Sequence, residues 1–187
     1  MKTVHKVGAA GAVGGVIALA CVFIEPWEGL WTTAKVDRIG TGQPVTVCYG
    51  ETINVKLGQH FTPKQCNDML EARLPQYNAE ISKCIHVPIS DKTRAAFISF
   101  AYNVGSHGFC RSSAARLLNA GNAKGACNAL MQWTRARGRV VRGLVNRRNS
   151  ERKLCLEGLN DASTPSAAKP IPVSDHPVRS DNGRHWW

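Results

Sequence analysis

The sequence has no CxxC pair, and its six histidines show no HxxxH or other metal spacing. A zinc site of the usual kind does not fit it, and no metal and no cofactor is expected. It has no Walker pattern, so the glycines at Gly40 and Gly42 are read as turns and not as a phosphate cradle. Zinc-finger, RNP and helix-turn-helix patterns are missing too, which leaves nucleic acid without a reader. No cysteine stands in a Cys-His arrangement suited to a nucleophile. Charge is missing from Val7 to Ile24, and apolar periodicity from Asn160 to Trp187.

What is present is a basic chain of 187 residues with net charge +11. Its length suits one domain plus extensions. An apolar fraction of 43% is enough for a core. The charge favours polyanionic partners, an anionic cell wall or anionic lipid among them. There are seven cysteines. Six of them (Cys48, Cys66, Cys84, Cys110, Cys127 and Cys155) lie in the globular part, which suits three disulfides in an oxidising compartment. Six cysteines allow fifteen connectivities, and sequence alone does not choose among them. Cys21 is left over in the charge-free run.

That run holds eighteen residues, four of them Gly and five Ala, and follows Lys2, His5 and Lys6. This is the charge arrangement of an export signal. As a helix it would be about 27 Å long, just enough for the hydrocarbon core. A cleaved signal would need a small-x-small site, but the run ends Phe23-Ile24-Glu25-Pro26. A permanent anchor would be richer in Leu and Ile. The third reading is a weak anchor that later leaves the bilayer whole, and it is the one expected here. Pro26 disfavours helix at Glu25 and marks the boundary. At the other end, four prolines and several Ser and Asp make 160–187 a disordered tail by composition.

Between these ends, Thr32 to Val55 is rich in Thr, Val and Gly and predicts a small twisted sheet. Thr62-Pro63 predicts a helix start, with helical spacing through Cys84 and a kink or division at Pro75. Ser90 caps a helix over Asp91–Asn103, apolar nearly all round and so the buried centre of a helical lobe. Further helices are expected from Ser112 or Ser113 to Leu118, over Ala123–Arg135, and over Leu144–Glu157. The last carries Arg147, Arg148, Arg152 and Lys153.

Three residues near the start have the chemistry of a glycosidase: Glu28, Asp37 and Thr46. Hydrolysing a sugar acetal takes a proton donor and, on the other side, a carboxylate to activate water or stabilise the cation-like transition state. Glu28 precedes an apolar and aromatic patch, Leu30 and Trp31, which predicts an apolar setting suited to a proton donor. Asp37 stands among Lys35, Arg38 and glycines, a polar setting suited to a carboxylate. The Thr46 hydroxyl could hold a water against it.

The wording around these residues is specific. Glu28-Gly29-Leu30, six residues, Asp37, then Thr46-Val47-Cys48-Tyr49-Gly50-Glu51-Thr52 resembles the phage-type lysozymes of glycoside hydrolase family 24. The resemblance runs from about Trp27 to Gly158. Its further anchors are Ala95 to Gly105 and Gly125-Ala126-Cys127, followed by Trp133, Gly143-Leu144-Val145, Arg147-Arg148 and Glu151-Arg152. The segment between Asp37 and Thr46 is longer than in many members. The resemblance implies an α+β lysozyme-like fold, a small antiparallel sheet lobe beside a larger helical lobe. It implies Glu28, Asp37 and Thr46 as catalytic residues, and Arg147 as a salt-bridge partner that orients Glu28. It implies the disulfides Cys48–Cys66, Cys84–Cys110 and Cys127–Cys155.

The activity implied is hydrolysis of the β-1,4 bond between N-acetylmuramic acid and N-acetylglucosamine in peptidoglycan, ending in host cell lysis. The charge-free run resembles the signal-anchor-release segments of some phage endolysins. The expected organisation is therefore a membrane segment over 1–24, a catalytic domain over 25–159, and a tail over 160–187. Such a chain would be tethered to the bacterial inner membrane facing the periplasm, then released as a monomer. Two alternatives compete. One is a lytic transglycosylase, against which Asp37 and Thr46 speak because that reaction uses no water. The other is an inactive wall-binding homologue.

Overall fold

The computed structural model describes residues 10–37 and 44–161. The start of the charge-free run, Arg38, Gly40 and Gly42 and all of the tail beyond Asp161 lie outside the described residues.

The first helix, α1, spans Ala10–Glu28. Val16, Ile17, Ala20, Cys21 and Ile24 fall on one helical face and are buried in the core. They pack against the helices α2 (Pro63–Ser82) and α3 (Asp91–Val104). In this folded form the later part of the charge-free run, from Val16 to Ile24, thus gives one face to the core. No helix among the described residues is long and apolar enough to cross a membrane. The boundary expected at Pro26 is not a break, because Pro26 lies inside the last turn of α1. Its missing N–H frees only the carbonyl of Val22, a residue 70% exposed, where water can take its place.

Gly29, at φ 69°, turns the chain out of α1. Strand β1 (Trp31–Val36) then pairs antiparallel with β2 (Val45–Cys48). Isolated bridges, Thr33 with His60 and Val47 with Glu51, extend this small lobe. Thr62 opens α2 with a capping box: its side chain accepts from the Gln65 N–H, and the Gln65 side chain accepts from the Thr62 N–H. Pro75 sits inside α2 without dividing it.

Helix α3, capped by Ser90, is the centre of the helical lobe, with Ala95 to Ala101 all buried. Phe97 and Phe100 pack, tilted and edge-on, against Phe109 of α4 (Ser106–Arg111), a short helix absent from the sequence reading. Ser112, not Ser113, caps α5 (Ser113–Asn119). The helix expected over Ala123–Arg135 ends early. It forms α6 (Ala123–Ala129), a 3-10 turn over Leu130–Gln132, and then a tiny hairpin of β3 (Arg135–Ala136) and β4 (Arg139–Val140). Helix α7 (Arg142–Asn160) closes the lobe against α3. Gly158 lets it come that close, since a Cβ there would sit 2.7 Å from the Thr93 backbone nitrogen.

Disulfides join Cys48–Cys66, Cys84–Cys110 and Cys127–Cys155. The first ties β2 to α2, and the last ties α6 to α7. Cys21 is free and buried. Burial, reinforced by the charges of Glu71 and Glu25, pushes its thiol up to about 11, so it stays protonated at neutral pH.

Candidate active site

The site is built where the helical lobe hands the chain to the sheet lobe. Glu28 is the last residue of α1, three positions before β1 begins at Trp31. Its side chain is only 10% exposed. Arg147 Nη1 donates to Glu28 Oε1 at 2.6 Å, across from α7. Arg147 is itself 5% exposed and is held from every side. Its Nε donates to Glu151 Oε1 at 3.0 Å, and its Nη2 to the Ser99 carbonyl at 3.1 Å. Burial opposes the Arg147 charge, but Glu28 and Glu151 outweigh it, and its pKa lies above the ordinary arginine value.

Glu151, fully buried, is the hub behind this contact. Its Oε1 also accepts from Ser99 Oγ at 2.8 Å and from Arg148 Nη2 at 3.0 Å. Arg148 in turn donates to Asn103 Oδ1 and lies over the Phe100 ring. Burial lowers the Arg148 pKa to about 10, with Glu151 working in the opposite direction. The Arg148 Nε and Glu151 Oε2 atoms are 2.8 Å apart but poorly aligned for a hydrogen bond. They count as an ion pair, not as a satisfied donor and acceptor. The network pins α1, α3 and α7 to one another. Removing one member of such a buried charge group typically costs about 3–5 kcal/mol.

Ser99, Asn103 and Glu151 are site residues that sequence reasoning missed. A signal existed: Ser99 and Asn103 are polar residues four apart on an otherwise apolar helix, and Glu151 follows Arg147 by four. One expectation is corrected. Leu30 and Trp31 do not wall Glu28 in an apolar pocket; they are 42% and 54% exposed. The neighbour of Glu28 is a guanidinium.

Asp37 and Thr46 come from the hairpin. Val36 pairs with Val45 and Lys35 with Thr46. The ladder extends one step further, where the Asp37 N–H donates to the Pro44 carbonyl at 2.8 Å. Directly opposed residues share a face, and side chains alternate along a strand. Lys35, Asp37, Pro44 and Thr46 therefore share one face. Asp37 and Thr46 are diagonal neighbours on it, and both are buried.

The base of the hairpin is fastened to the helices. Cys48 takes a left-handed φ of 56° and bonds to Cys66. The Tyr102 hydroxyl donates to the Tyr49 carbonyl at 2.6 Å, and the Tyr49 hydroxyl to Asn67 Oδ1 at 2.8 Å. The turn over Val47–Glu51 closes on itself through paired backbone hydrogen bonds. No group of His, Cys, Asp and Glu among the described residues could hold a metal ion.

A helical lobe, a small antiparallel sheet lobe, and a glutamate fixed by arginine where one passes into the other make this a lysozyme-fold protein. Residues 25–151 match the family described as Phage lysozyme. The chain belongs to that family and is a glycoside hydrolase of the lysozyme type. A curated relative, described as a SAR-endolysin of Enterobacteria phage PA-2, is 37% identical over 163 residues. That match covers 83% of this chain and 97% of the relative. Among solved structures, the muramidase domain of SpmX from Asticaccaulis excentricus superposes with a TM-score of 0.68 at 26% identity. It covers 73% of this chain and 94% of that one. The endolysin from Escherichia coli O157:H7 phage FAHEc1 gives 0.66 at 28% identity, covering 74% and 91%.

Proposed function

We propose that this chain is a phage endolysin: a muramidase that hydrolyses the β-1,4 bond between N-acetylmuramic acid and N-acetylglucosamine in peptidoglycan and so lyses the host. The observation that carries this is the Glu28–Arg147 contact at the lobe junction, with Asp37 and Thr46 on one face of the adjoining hairpin. Arg147 takes Glu28 Oε1, so Oε2 is the oxygen to carry a proton to the glycosidic oxygen. On the opposite side of the sugar, Asp37 takes a proton from a water that the Thr46 hydroxyl helps hold. That water attacks the anomeric carbon as the leaving sugar departs. The product is inverted, which calls for carboxyl groups roughly 6.5–9.5 Å apart. Arg147 acts through Glu28 and is a positioning residue. The enzyme acts as a monomer.

The charge-free run supports delivery through the inner membrane, first tethered, then released into the periplasm. The same apolar face cannot serve both environments. A tethered α1 takes Val16, Ile17, Ala20, Cys21 and Ile24 out of the core. It also holds Glu28, four residues beyond Ile24, about 6 Å from the apolar segment as helix. Glu28 then cannot reach Arg147. Once the segment has left the bilayer, burying each Val or Ile side chain in the core rather than leaving it in water stabilises the folded form by roughly 1.5–3 kcal/mol. Release is therefore the activating step, and the protonated Cys21 thiol leaves the three disulfides intact.

Two experiments test this reading. Purified wall digested by the released enzyme gives new reducing sugar ends; anhydro ends would mean transglycosylation instead. Glu28→Gln lowers that rate by about 10²–10⁴-fold, and a near wild-type rate would refute the assignment. For the tether, Gly14 and Gly15 are exposed helical positions where a Cβ meets nothing within 4 Å. Leucines there leave the folded enzyme intact but strengthen membrane insertion. Cells making that variant survive a collapse of membrane potential that lyses cells making the wild type. Equal lysis would contradict the release step alone.

A further inference from the structure

Trp31 is a large aromatic residue that the core does not use. It is 54% exposed, although it lies only three positions after Glu28. Lys35 Nζ sits over its ring. This contact places both side chains on one side of β1. Lys35 is also the direct partner of Thr46, so its face is the face that carries Thr46 and Asp37. An open indole and an ammonium thus border the residues assigned to water activation.

Exposing this much indole has a cost in water. One side of the ring receives the lysine, while the exposed remainder is free to meet a flat apolar surface. The sheet face that continues from it is polar and charged, which does not suit a lipid or a protein partner. It suits an extended sugar, whose ring carbons stack and whose substituents carry charge. The protein's excess of positive charge points to an anionic one.

We propose that Trp31 and Lys35 form a glycan subsite beside the cleavage point. The indole stacks on one N-acetylhexosamine ring, and the Lys35 ammonium pairs with a carboxylate borne by the muramyl residue. That carboxylate has two possible sources: the peptide attached to the lactyl group, or the lactyl group itself where no peptide is attached. The subsite deepens the muramidase reading and rests on it.

The test is a binding measurement on the full folded chain carrying Glu28→Gln, so that nothing is cleaved. Three soluble probes are used: glycan strands with peptides, strands stripped of peptides, and chitooligosaccharide, which has no carboxylate. Trp31→Ala weakens binding of all three, by about tenfold, as loss of a stacking partner predicts. Lys35→Met weakens only the carboxylate-bearing probes, by about threefold, and raised salt erases the difference. A Lys35→Met effect confined to peptide-bearing strands identifies the peptide as the source. An effect on both muramyl probes identifies the lactyl group. In the active background the Trp31→Ala loss falls in KM more than in kcat, and Trp31→Phe recovers part of it. Unchanged binding in Trp31→Ala overturns the proposal. Unchanged binding of both muramyl probes by Lys35→Met overturns its charged half. If Trp31→Ala weakens binding but Glu28→Gln still cleaves wall, the subsite stands and the catalytic assignment falls.

Discussion

The acid and the water are held by very different structures. Glu28 ends a helix of nineteen residues and is gripped by a buried charge network that spans α1, α3 and α7. Asp37 and Thr46 ride on a two-stranded hairpin of six and four residues. An isolated two-stranded hairpin is marginal in water. Here its base is tied to α2 and α3 by Cys48–Cys66 and two tyrosine hydrogen bonds, while Asp37 lies at the opposite end, where the strands part. The proton donor is built into the core. The water-handling pair is built onto it, through a few identifiable links.

The strongest way to break this contrast is at Arg147. Arg147→Met leaves Glu151 and Glu28 without their shared partner. Stability should fall by about 3–5 kcal/mol, and hydrolysis should fall with it because Glu28 loses its orientation. Thermal unfolding alongside a wall-clearing assay checks both. Loss of activity with no change in melting temperature would mean that the network is not structural.

A smaller effect is expected at the base of the hairpin. Cys48→Ala with Cys66→Ala opens a loop of sequence separation 18, worth about 3 kcal/mol in the chain-entropy account. Since the disulfide is two residues from Thr46, catalysis should suffer even at temperatures where the helical lobe remains folded. Hydrogen exchange should show the loss confined to β1, β2 and the Val47–Glu51 turn. Uniform loss of protection across α3 and α7 would mean that the lobes are not as separable as described.

The two regions also differed in how far they could be read from sequence. The helical lobe was largely legible. Thr62-Pro63 and Ser90 before an apolar run each carry a local chemical reason for a boundary. What was not legible depends on long-range packing. Ser99, Asn103 and Glu151 look like ordinary polar residues until α3 and α7 meet. The charge-free run was read for a bilayer, yet its apolar spacing also fits a core, and both environments ask for the same side chains. Trp31 looked like a pocket wall for Glu28, but nothing local says which way a strand residue faces. The β3–β4 hairpin hid because Arg137, at φ 48°, occupies a turn position where Asn or Asp would have been the signal.

The division of labour between the two regions predicts the stereochemistry of the reaction. If the hairpin handles a water, the anomeric centre inverts; if Asp37 attacks as a nucleophile, it is retained. Proton NMR of freshly released reducing ends, recorded before mutarotation, reads this directly. The account predicts that the α-anomer appears first. Initial release of the β-anomer, or a glycosyl adduct on Asp37 seen by mass spectrometry, would contradict it.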